Sequence, residues 1–218
     1  MPNQTFLLIW CFFLLLSQQA ISQDDPGKVY YDNGKIKAEG NIQQGQREGY
    51  WYLYYPDGTT MAFEYYRQGK LNGTCKYYTP KGKLERRETW KAGLQHGQST
   101  FYYPESGQIH KVFAYQNGVY EGKSIHYFED GSIRQELTYK AGLPHGDFVL
   151  HNPDGSLQQK GSYQEGKEHG DWSFFDETGK PLYQGTYTNG EKTGNWYRFT
   201  KKGKRKPMKI DKKLSDKS

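Results

Sequence analysis

The chain has 218 residues and a formal net charge of +6, and only 34% of its residues are hydrophobic, compared with about 45–50% in a typical globular domain. Tyr supplies 20 residues and Gly 26, so aromatic rings must provide most of the buried apolar surface and a thick aliphatic core is excluded. Residues 201–218 contain nine Lys or Arg and two Asp, so the rest of the chain is nearly neutral.

Residues 1–22 differ in composition from everything that follows. They contain an uninterrupted apolar run at 6–16 and then a polar segment with the small residues Ala20 and Ser22. This run is too short for a membrane span of about 20 residues but matches the h-region of a secretory signal peptide. We therefore predict a signal peptide over residues 1–22 and an exported protein.

Two series of glycines repeat along the rest of the chain. The first consists of G-x-x-x-G pairs whose first members lie 24 residues apart, with one interval of 25, and the second runs in step with it. Between them lie runs rich in Tyr, Trp, Phe, Thr and Ile, some joined by turn sequences such as Pro-Asp-Gly at 56–58, which favour a three-residue hairpin with a G1 bulge. The pattern predicts an elongated antiparallel all-β array of about seven 24-residue β-hairpins over residues 27–203, linked by G-x-x-x-G loops. The predicted turn glycines are Gly45, Gly58, Gly69, Gly82, Gly93, Gly118, Gly131, Gly142, Gly155, Gly166, Gly179 and Gly190.

Alternate positions of the predicted strands differ in polarity. Because side chains alternate between the two faces of a strand, equivalent positions of the repeats form columns on one face. One column is aromatic, and interleaved positions of the neighbouring strand are charged, so we predict a sheet with one apolar and one solvated face. The aromatic column contains Trp51, Phe148, Trp172 and Trp196, and the charged positions include Glu39, Arg87, Glu136 and Lys160.

A second aromatic column has the opposite parity from the tryptophans. These rings either close the edge of the sheet and pack on the neighbouring hairpin, or they form a stacking surface for sugar rings or a partner peptide. We take them as candidate ligand-binding residues. The column includes Tyr54, Tyr78, Tyr102, Tyr127 and Phe175.

Other reactive side chains have simpler explanations in the repeat. His96, His145 and His169 occupy one equivalent position, and neighbouring copies about 9–10 Å apart are too distant to share a metal ion. Asp and Glu fall at positions expected to be exposed in strands and turns. Cys75 lies in the tryptophan column, where a small buried thiol is expected, and after removal of the signal peptide it has no disulfide partner. The sequence therefore predicts no catalytic residue, no cofactor and no metal site.

The C-terminal segment, residues 204–218, has the composition of a disordered basic tail. Such a tail could also attach the protein to an anionic membrane or glycan surface by salt-sensitive attraction. Nucleic acid would be attracted in the same way, but export argues against it as the physiological partner.

The repeated motifs NGxxxGxWxxYxxDG and YxNGK resemble MORN repeats, specifically the MORN-variant type of bacterial YwqK-like antitoxin-family proteins. Copies such as NGEKTGNWYRF at 189–199 and EGKEHGDWSFFDETGK at 165–180 carry the resemblance, which covers residues 27–203. The resemblance implies an antiparallel β-hairpin array used for protein or membrane association. Because the family it resembles is bacterial, the predicted export would make the protein periplasmic, outer-membrane-associated or extracellular.

Taken with the predicted export, these features favour a non-catalytic scaffold that mediates protein–protein or cell-envelope interactions. One alternative, implied by the resemblance, is an antitoxin- or immunity-like protein that neutralises a protein effector. Another is a glycan- or envelope-binding module. The expected partner is a protein or an envelope polymer.

Overall fold

The computed structural model describes residues 25–209, and their regular structure is entirely β. The predicted signal peptide, residues 1–22, lies outside this range. Between residues 25 and 209, no helix has the length and apolar character that a membrane crossing requires. The strands are β1 (Lys28–Tyr30), β2 (Ile36–Gln43), β3 (Gln46–Tyr54), β4 (Thr60–Arg67), β5 (Lys70–Leu71), β6 (Gly73–Tyr78), β7 (Leu84–Lys91), β8 (Leu94–Gln95), β9 (Gly97–Tyr102), β10 (Ile109–Gln116), β11 (Val119–Tyr120), β12 (Gly122–Tyr127), β13 (Ile133–Lys140), β14 (Leu143–His151), β15 (Leu157–Gln164), β16 (Lys167–Phe175), β17 (Pro181–Thr188), β18 (Glu191–Phe199) and β19 (Arg205–Met208).

The strands form one antiparallel meander in which each strand pairs with those that adjoin it along the chain. The two-residue strands β5, β8 and β11 are each separated by one residue from the strand that continues them. Within the described residues, β1 pairs only with β2 and β19 only with β18, so the sheet is open at both ends. The predicted all-β hairpin array is thereby confirmed.

One end of the hairpins is closed by the predicted three-residue turns. In the Pro56–Gly58 turn, the Gly58 N–H donates to the Tyr55 carbonyl at 2.8 Å, and the Tyr55 N–H donates to the Thr59 carbonyl at 2.8 Å. Asp57 Oδ1 accepts the Thr59 N–H at 2.8 Å, and Gly58 has a φ of 97°. This is the arrangement expected of a type I turn followed by a G1 bulge.

The G-x-x-x-G segments are not loops, and that part of the sequence interpretation was wrong. The first glycine and the residue before it both have positive φ, for example 52° at Gln44 and 75° at Gly45, and Gln43 pairs directly with Gln46. This is a two-residue type I′ hairpin turn. The second glycine, such as Gly49 with a φ of 72°, lies inside the strand at a β-bulge.

The type I′ turns also connect one repeat to the next. The first glycine of each later pair donates its N–H to a carbonyl of the preceding repeat, as in Gly69 to Arg47 at 3.0 Å and Gly190 to Glu168 at 2.9 Å. The structure places every predicted turn glycine at positive φ. Their φ angles are 75° at Gly45, 97° at Gly58, 72° at Gly69, 75° at Gly82, 84° at Gly93, 86° at Gly118, 87° at Gly131, 83° at Gly142, 84° at Gly155, 83° at Gly166, 75° at Gly179 and 84° at Gly190.

One row of side chains crosses the sheet on the face that carries Trp51, Trp172 and Trp196, which we call the Trp face. The row of side chains itself, which supplies most of the buried residues, is called the central row. Register and sequence spacing give its order across the strands as Gly40, Trp51, Glu64, Cys75, Glu88, Ser99, Phe113, Ser124, Leu137, Phe148, Gly161, Trp172, Gly185 and Trp196.

Large and small side chains alternate along most of the central row. A Cβ atom on Gly185 would lie 2.2 Å from Cδ2 of Trp196, and one on Gly161 would lie 2.2 Å from Cδ2 of Trp172. Each indole therefore lies directly against glycine backbone, and its Nε1–H donates to a backbone carbonyl, Thr186 for Trp196 and Ser162 for Trp172, both at 3.1 Å. The glycine makes room for the ring, and the carbonyl satisfies its polar atom.

The C-terminal end of the sheet extends beyond the predicted boundary. The prediction of a disordered tail from residue 204 was wrong for Arg205–Met208, which form β19 against β18, with Pro207 opposite Tyr197. Basic residues and a proline resemble a solvated terminus in sequence, but the free edge of β18 offers backbone hydrogen bonds to any extended segment. The Arg205 guanidinium also lies 4.0 Å from the centroid of the Tyr197 ring. Residues 210–218 lie outside the described part of the chain.

The type I′ turns generate a stability prediction. Ala92 and Ala141 have φ angles of 50°, a conformation unfavourable for residues with a Cβ except Asn and Asp. Replacing both with Asn should raise the free energy of unfolding by about 1 kcal/mol in total, measured by urea denaturation. Asn117→Ala, at an equivalent turn position with a φ of 51°, is the reverse control and should lower it; the same direction of change in both proteins would contradict the turn assignment.

Candidate functional site

The predicted column of Tyr54, Tyr78, Tyr102, Tyr127 and Phe175 lies on the face opposite the Trp face, and all five side chains are half-buried. The structure does not bring them together as one continuous surface. Two of them, Tyr54 and Tyr78, join a compact group of rings near the N-terminal end of the sheet. Tyr102, Tyr127 and Phe175 lie in later repeats, and among the described residues no ring contact joins them to that group.

The compact group, which we call the aromatic patch, covers β3, β4 and β6. The rings of Tyr50 and Tyr65 meet edge to face with centroids 5.0 Å apart, and Phe63 makes similar contacts with Tyr52 at 5.3 Å and Tyr78 at 5.5 Å. Tyr50 is 66% exposed and Tyr52 is 40% exposed. The patch consists of Tyr50, Tyr52, Tyr54, Phe63, Tyr65 and Tyr78.

The repeat architecture does not require rings at the outer positions of this patch. The register places Tyr50 directly opposite Tyr65, and the other repeats have small or polar residues at both positions. Positions equivalent to Tyr50 contain Thr74, Gln98, Lys123, Asp147, Asp171 and Asn195. Positions equivalent to Tyr65 contain Asn41, Thr89, Ala114, Thr138, Ser162 and Thr186.

Tyr54 anchors one border of the patch. Its hydroxyl donates a hydrogen bond of 2.7 Å to Oε1 of Glu39. Burial, reinforced by this carboxylate, raises the pKa of Tyr54 to about 12. The Tyr54 carbonyl accepts a hydrogen bond of 2.7 Å from the Tyr31 hydroxyl. Tyr54 therefore contributes hydrogen bonds that stabilise the sheet as well as a ring at the border of the patch.

Sequence reasoning missed Tyr50, Tyr52, Phe63 and Tyr65. The signal was present in YWYLYY at 50–55, where consecutive positions are aromatic or apolar and both strand faces therefore carry rings. Assigning one face as solvated throughout the array concealed this local exception.

Two buried carboxylates interrupt the Trp face, contrary to the expectation that Asp and Glu are exposed. Glu64 is 8% exposed and Glu88 is 7% exposed. They occupy central-row positions filled by glycine in the repeats that carry tryptophan, so the even spacing that places them on the packed face could have identified them.

Each buried carboxylate has a guanidinium nearby. Oε2 of Glu64 accepts the Tyr66 hydroxyl at 2.8 Å and lies 3.8 Å from Nη1 of Arg47. Oε1 of Glu88 accepts Nε–H of Arg86 at 3.1 Å. These partners offset part of the cost of burying a carboxylate in the sheet.

Cys75 lies in the central row between the two carboxylates and is fully buried. Burial, together with the negative charges of Glu64 and Glu88, raises the pKa of the Cys75 thiol. A raised pKa and lack of access both oppose thiolate chemistry. Cys75 therefore has the properties of a packing residue.

The histidines do not converge. His96, His145 and His169 occupy the repeat position at which Glu48 accepts the Gln68 N–H and Glu121 accepts the Ala141 N–H, each at 2.7 Å. This position supports the following type I′ turn. Among residues 25–209, no group of three or more His, Cys, Asp or Glu side chains is arranged to hold a metal ion.

The position of Cys75 predicts an inert thiol. In a Cys11→Ser chain at about pH 8, Ellman's reagent should react with Cys75 only as fast as the sheet opens, and addition of urea should accelerate the reaction by several orders of magnitude. Introducing a cysteine at exposed Thr74 provides the accessible control. Equal native rates at positions 74 and 75 would contradict the buried environment.

Comparisons with known proteins agree with the repeat geometry. The family model described as the MORN repeat variant matches four segments, residues 26–44, 71–92, 120–141 and 168–189. No curated protein gives a significant match.

Similar solved structures include two of a GtfA/B complex, one of them bound to UDP and GlcNAc. That structure has 14% identity and a TM-score of 0.25 and covers 60% of this chain, which spans 26% of its length. The other has 17% identity, a TM-score of 0.24 and coverages of 50% and 19%. A porin-like protein from Bacteroides uniformis has 9% identity, a TM-score of 0.21 and coverages of 73% and 86%. These TM-scores are too low to support a functional or structural assignment.

The family match falls on segments distributed along the sheet, and the turns, bulges and central row repeat with the same period. MORN repeats commonly mediate binding to proteins or membranes, and the family is a non-enzymatic scaffold. The chain is a MORN-variant repeat protein.

Proposed function

We propose that this protein is an exported, non-catalytic scaffold that binds a protein partner through the aromatic patch. The observation that carries the proposal is the exposure of Tyr50 and Tyr52 at positions where later repeats are mostly polar or aliphatic. Residues required only by the repeat would recur in it, whereas Tyr50 has no aromatic counterpart in the other repeats and the position of Tyr52 is aromatic again only at Tyr197.

The chemistry of the patch fits a protein interface. Exposed aromatic groups rimmed by polar residues mark binding surfaces, and Tyr and Phe are enriched at the cores of protein interfaces. Tyrosine combines a large apolar ring with a hydroxyl that can form hydrogen bonds at the interface. The edge-to-face contacts with Tyr65 and Phe63 hold Tyr50 and Tyr52 in place before a partner arrives, which reduces the entropy lost on binding.

The scaffold role is supported by the family and by the placement of the acidic side chains. Glu64 and Glu88 lie beside Arg47 and Arg86, and they occupy the Trp face, opposite the aromatic patch. Neither carboxylate is positioned to act on a ligand that contacts Tyr50. Export is supported by the signal-peptide pattern of residues 1–22, which directs the search for a partner to the cell envelope or the surrounding medium.

The proposal predicts a partner whose capture depends on the patch. The full chain, immobilised and exposed to an envelope extract of the source cells, should retain one protein in stoichiometric amount. Tyr50→Ser with Tyr52→Ser should reduce its recovery by at least about tenfold, as expected for the loss of central aromatic anchors.

The matched control changes the equivalent positions of a later repeat, Asp147→Ser with Val149→Ser, and should retain the partner. Equal retention by both double variants would refute binding through the patch. Retention of a polysaccharide in place of a protein would favour the envelope-polymer alternative, and neutralisation of a co-purified toxin would identify the partner as an effector.

A further inference from the structure

A pair of cations extends the aromatic patch along the same face. Tyr52 pairs with Phe63, Phe63 with Lys76, and Lys76 with Arg87, so four successive side chains form one row across β3, β4, β6 and β7. The row spans about 14 Å at a strand spacing of about 4.8 Å. Its composition changes from two rings to two positive charges.

The two cations face one another without internal compensation. Lys76 and Arg87 are both exposed, and in the described part of the chain neither forms an ion pair with an acidic side chain. The nearby Glu85 and Glu88 are both paired with Arg86. Like charges directly opposite one another destabilise a sheet, so folding does not account for this pair.

The surrounding sequence reinforces the local positive charge. Residues 67–91 contain eight Lys or Arg and two Glu, whereas residues 117–190 contain six Lys or Arg and eleven Asp or Glu. In that acidic part, one of the six cations, Lys123, forms an ion pair, with Glu136 at 2.6 Å, and the other five lie among an excess of acidic residues. The uncompensated pair therefore lies in the basic part of the sheet and next to the exposed rings.

We propose that the partner segment bound by the patch is acidic, with carboxylates that contact Lys76 and Arg87 and apolar or aromatic side chains that contact Tyr50 and Tyr52. This inference rests on the proposed function and specifies the chemistry of its partner. The row length of about 14 Å corresponds to about four residues of extended peptide. Arginine can hold a carboxylate by two parallel hydrogen bonds, and a neighbouring lysine adds a point charge.

A protein segment fits these residues better than a purely charged polymer does. Tyr and Arg are the residue types enriched among the side chains that contribute most to protein binding. Complementary charge accelerates association and selects the partner, while the rings supply burial. Binding should therefore require both halves of the row.

The test uses a random glutamate–tyrosine copolymer as the probe, with binding to the full chain measured by calorimetry. Lys76→Ser with Arg87→Ser should weaken binding by at least about tenfold, and increasing salt from about 0.05 M to about 0.5 M should also weaken it. Arg134→Ser with Lys160→Ser removes the same charge from exposed positions on the same face and should leave affinity unchanged. Equal weakening by both double variants would overturn the proposal, because it would show only general attraction.

Four further probes identify the chemistry that the row of residues recognises. Polyglutamate should bind more weakly than the copolymer, and a lysine–tyrosine copolymer should not bind. Polygalacturonate or phosphatidylglycerol vesicles that bind as tightly as the copolymer, with the same dependence on Lys76 and Arg87, would overturn an acidic protein segment as the partner.

The variants also separate the two proposals when the captured envelope protein is used. Loss of that protein with the Tyr50/Tyr52 variant but not with the Lys76/Arg87 variant would leave the proposed function in place and overturn the acidic partner. Loss with both variants, and retention by the Arg134/Lys160 control, is the expected result.

Discussion

Burial within a single face is the constraint on which this structure depends. The described sheet has no second layer packed on it, so each large side chain must be covered by its neighbours on the same face. The Trp rings achieve this by lying against glycine backbone, where the absence of a Cβ leaves room for the indole. With the indole N–H bonded to a backbone carbonyl, a residue as large as tryptophan becomes almost fully buried in one layer.

The middle repeats satisfy the same constraint with other pairs. Glu64 precedes Cys75, Glu88 precedes Ser99, and Phe113 precedes Ser124, so a small residue follows a larger one where the outer repeats have glycine followed by tryptophan. The carboxylates need guanidinium partners that the tryptophan repeats do not, and Arg47 and Arg86 supply them. Because the Trp face carries most of the burial, the opposite face is free to vary from repeat to repeat. The aromatic patch and the Lys76–Arg87 pair are such local variations.

The periodic features of this fold could be predicted from sequence because they depend on local backbone chemistry. The repeated glycines, such as Gly45 and Gly58, indicate positions of positive φ, and the period of 24 residues indicates the order of the strands. The G-x-x-x-G turns were assigned as loops because their first positive-φ residue is Gln44, Ala92 or Glu165 in some repeats, which lack the Asn-Gly signature of a type I′ turn. β19 was missed because pairing with an existing strand edge depends on backbone groups, which composition does not report.

The candidate site was harder to predict because its residues do not follow the 24-residue repeat from which the fold could be predicted. Tyr54 and Tyr78 were found as members of a repeated column, but Tyr50 and Tyr65 have no aromatic counterparts in the other repeats. Glu64 and Glu88 resemble solvated strand residues until the register places them opposite Trp51 and Cys75. The positive row is a three-dimensional feature, since Lys76 and Arg87 become neighbours only through strand pairing.

The most direct test of the central constraint is a double-mutant cycle at Gly185 and Trp196, with the free energy of unfolding measured by urea denaturation and circular dichroism. Gly185→Ala should lower the free energy of unfolding by about 1–3 kcal/mol when Trp196 is present, because the new Cβ would overlap the indole. In a Trp196→Leu chain the same substitution should be neutral or stabilising by up to about 1 kcal/mol, since alanine restricts the unfolded chain more than glycine does. An equal loss of stability in both backgrounds would contradict the account in which glycine is present to accommodate the tryptophan ring.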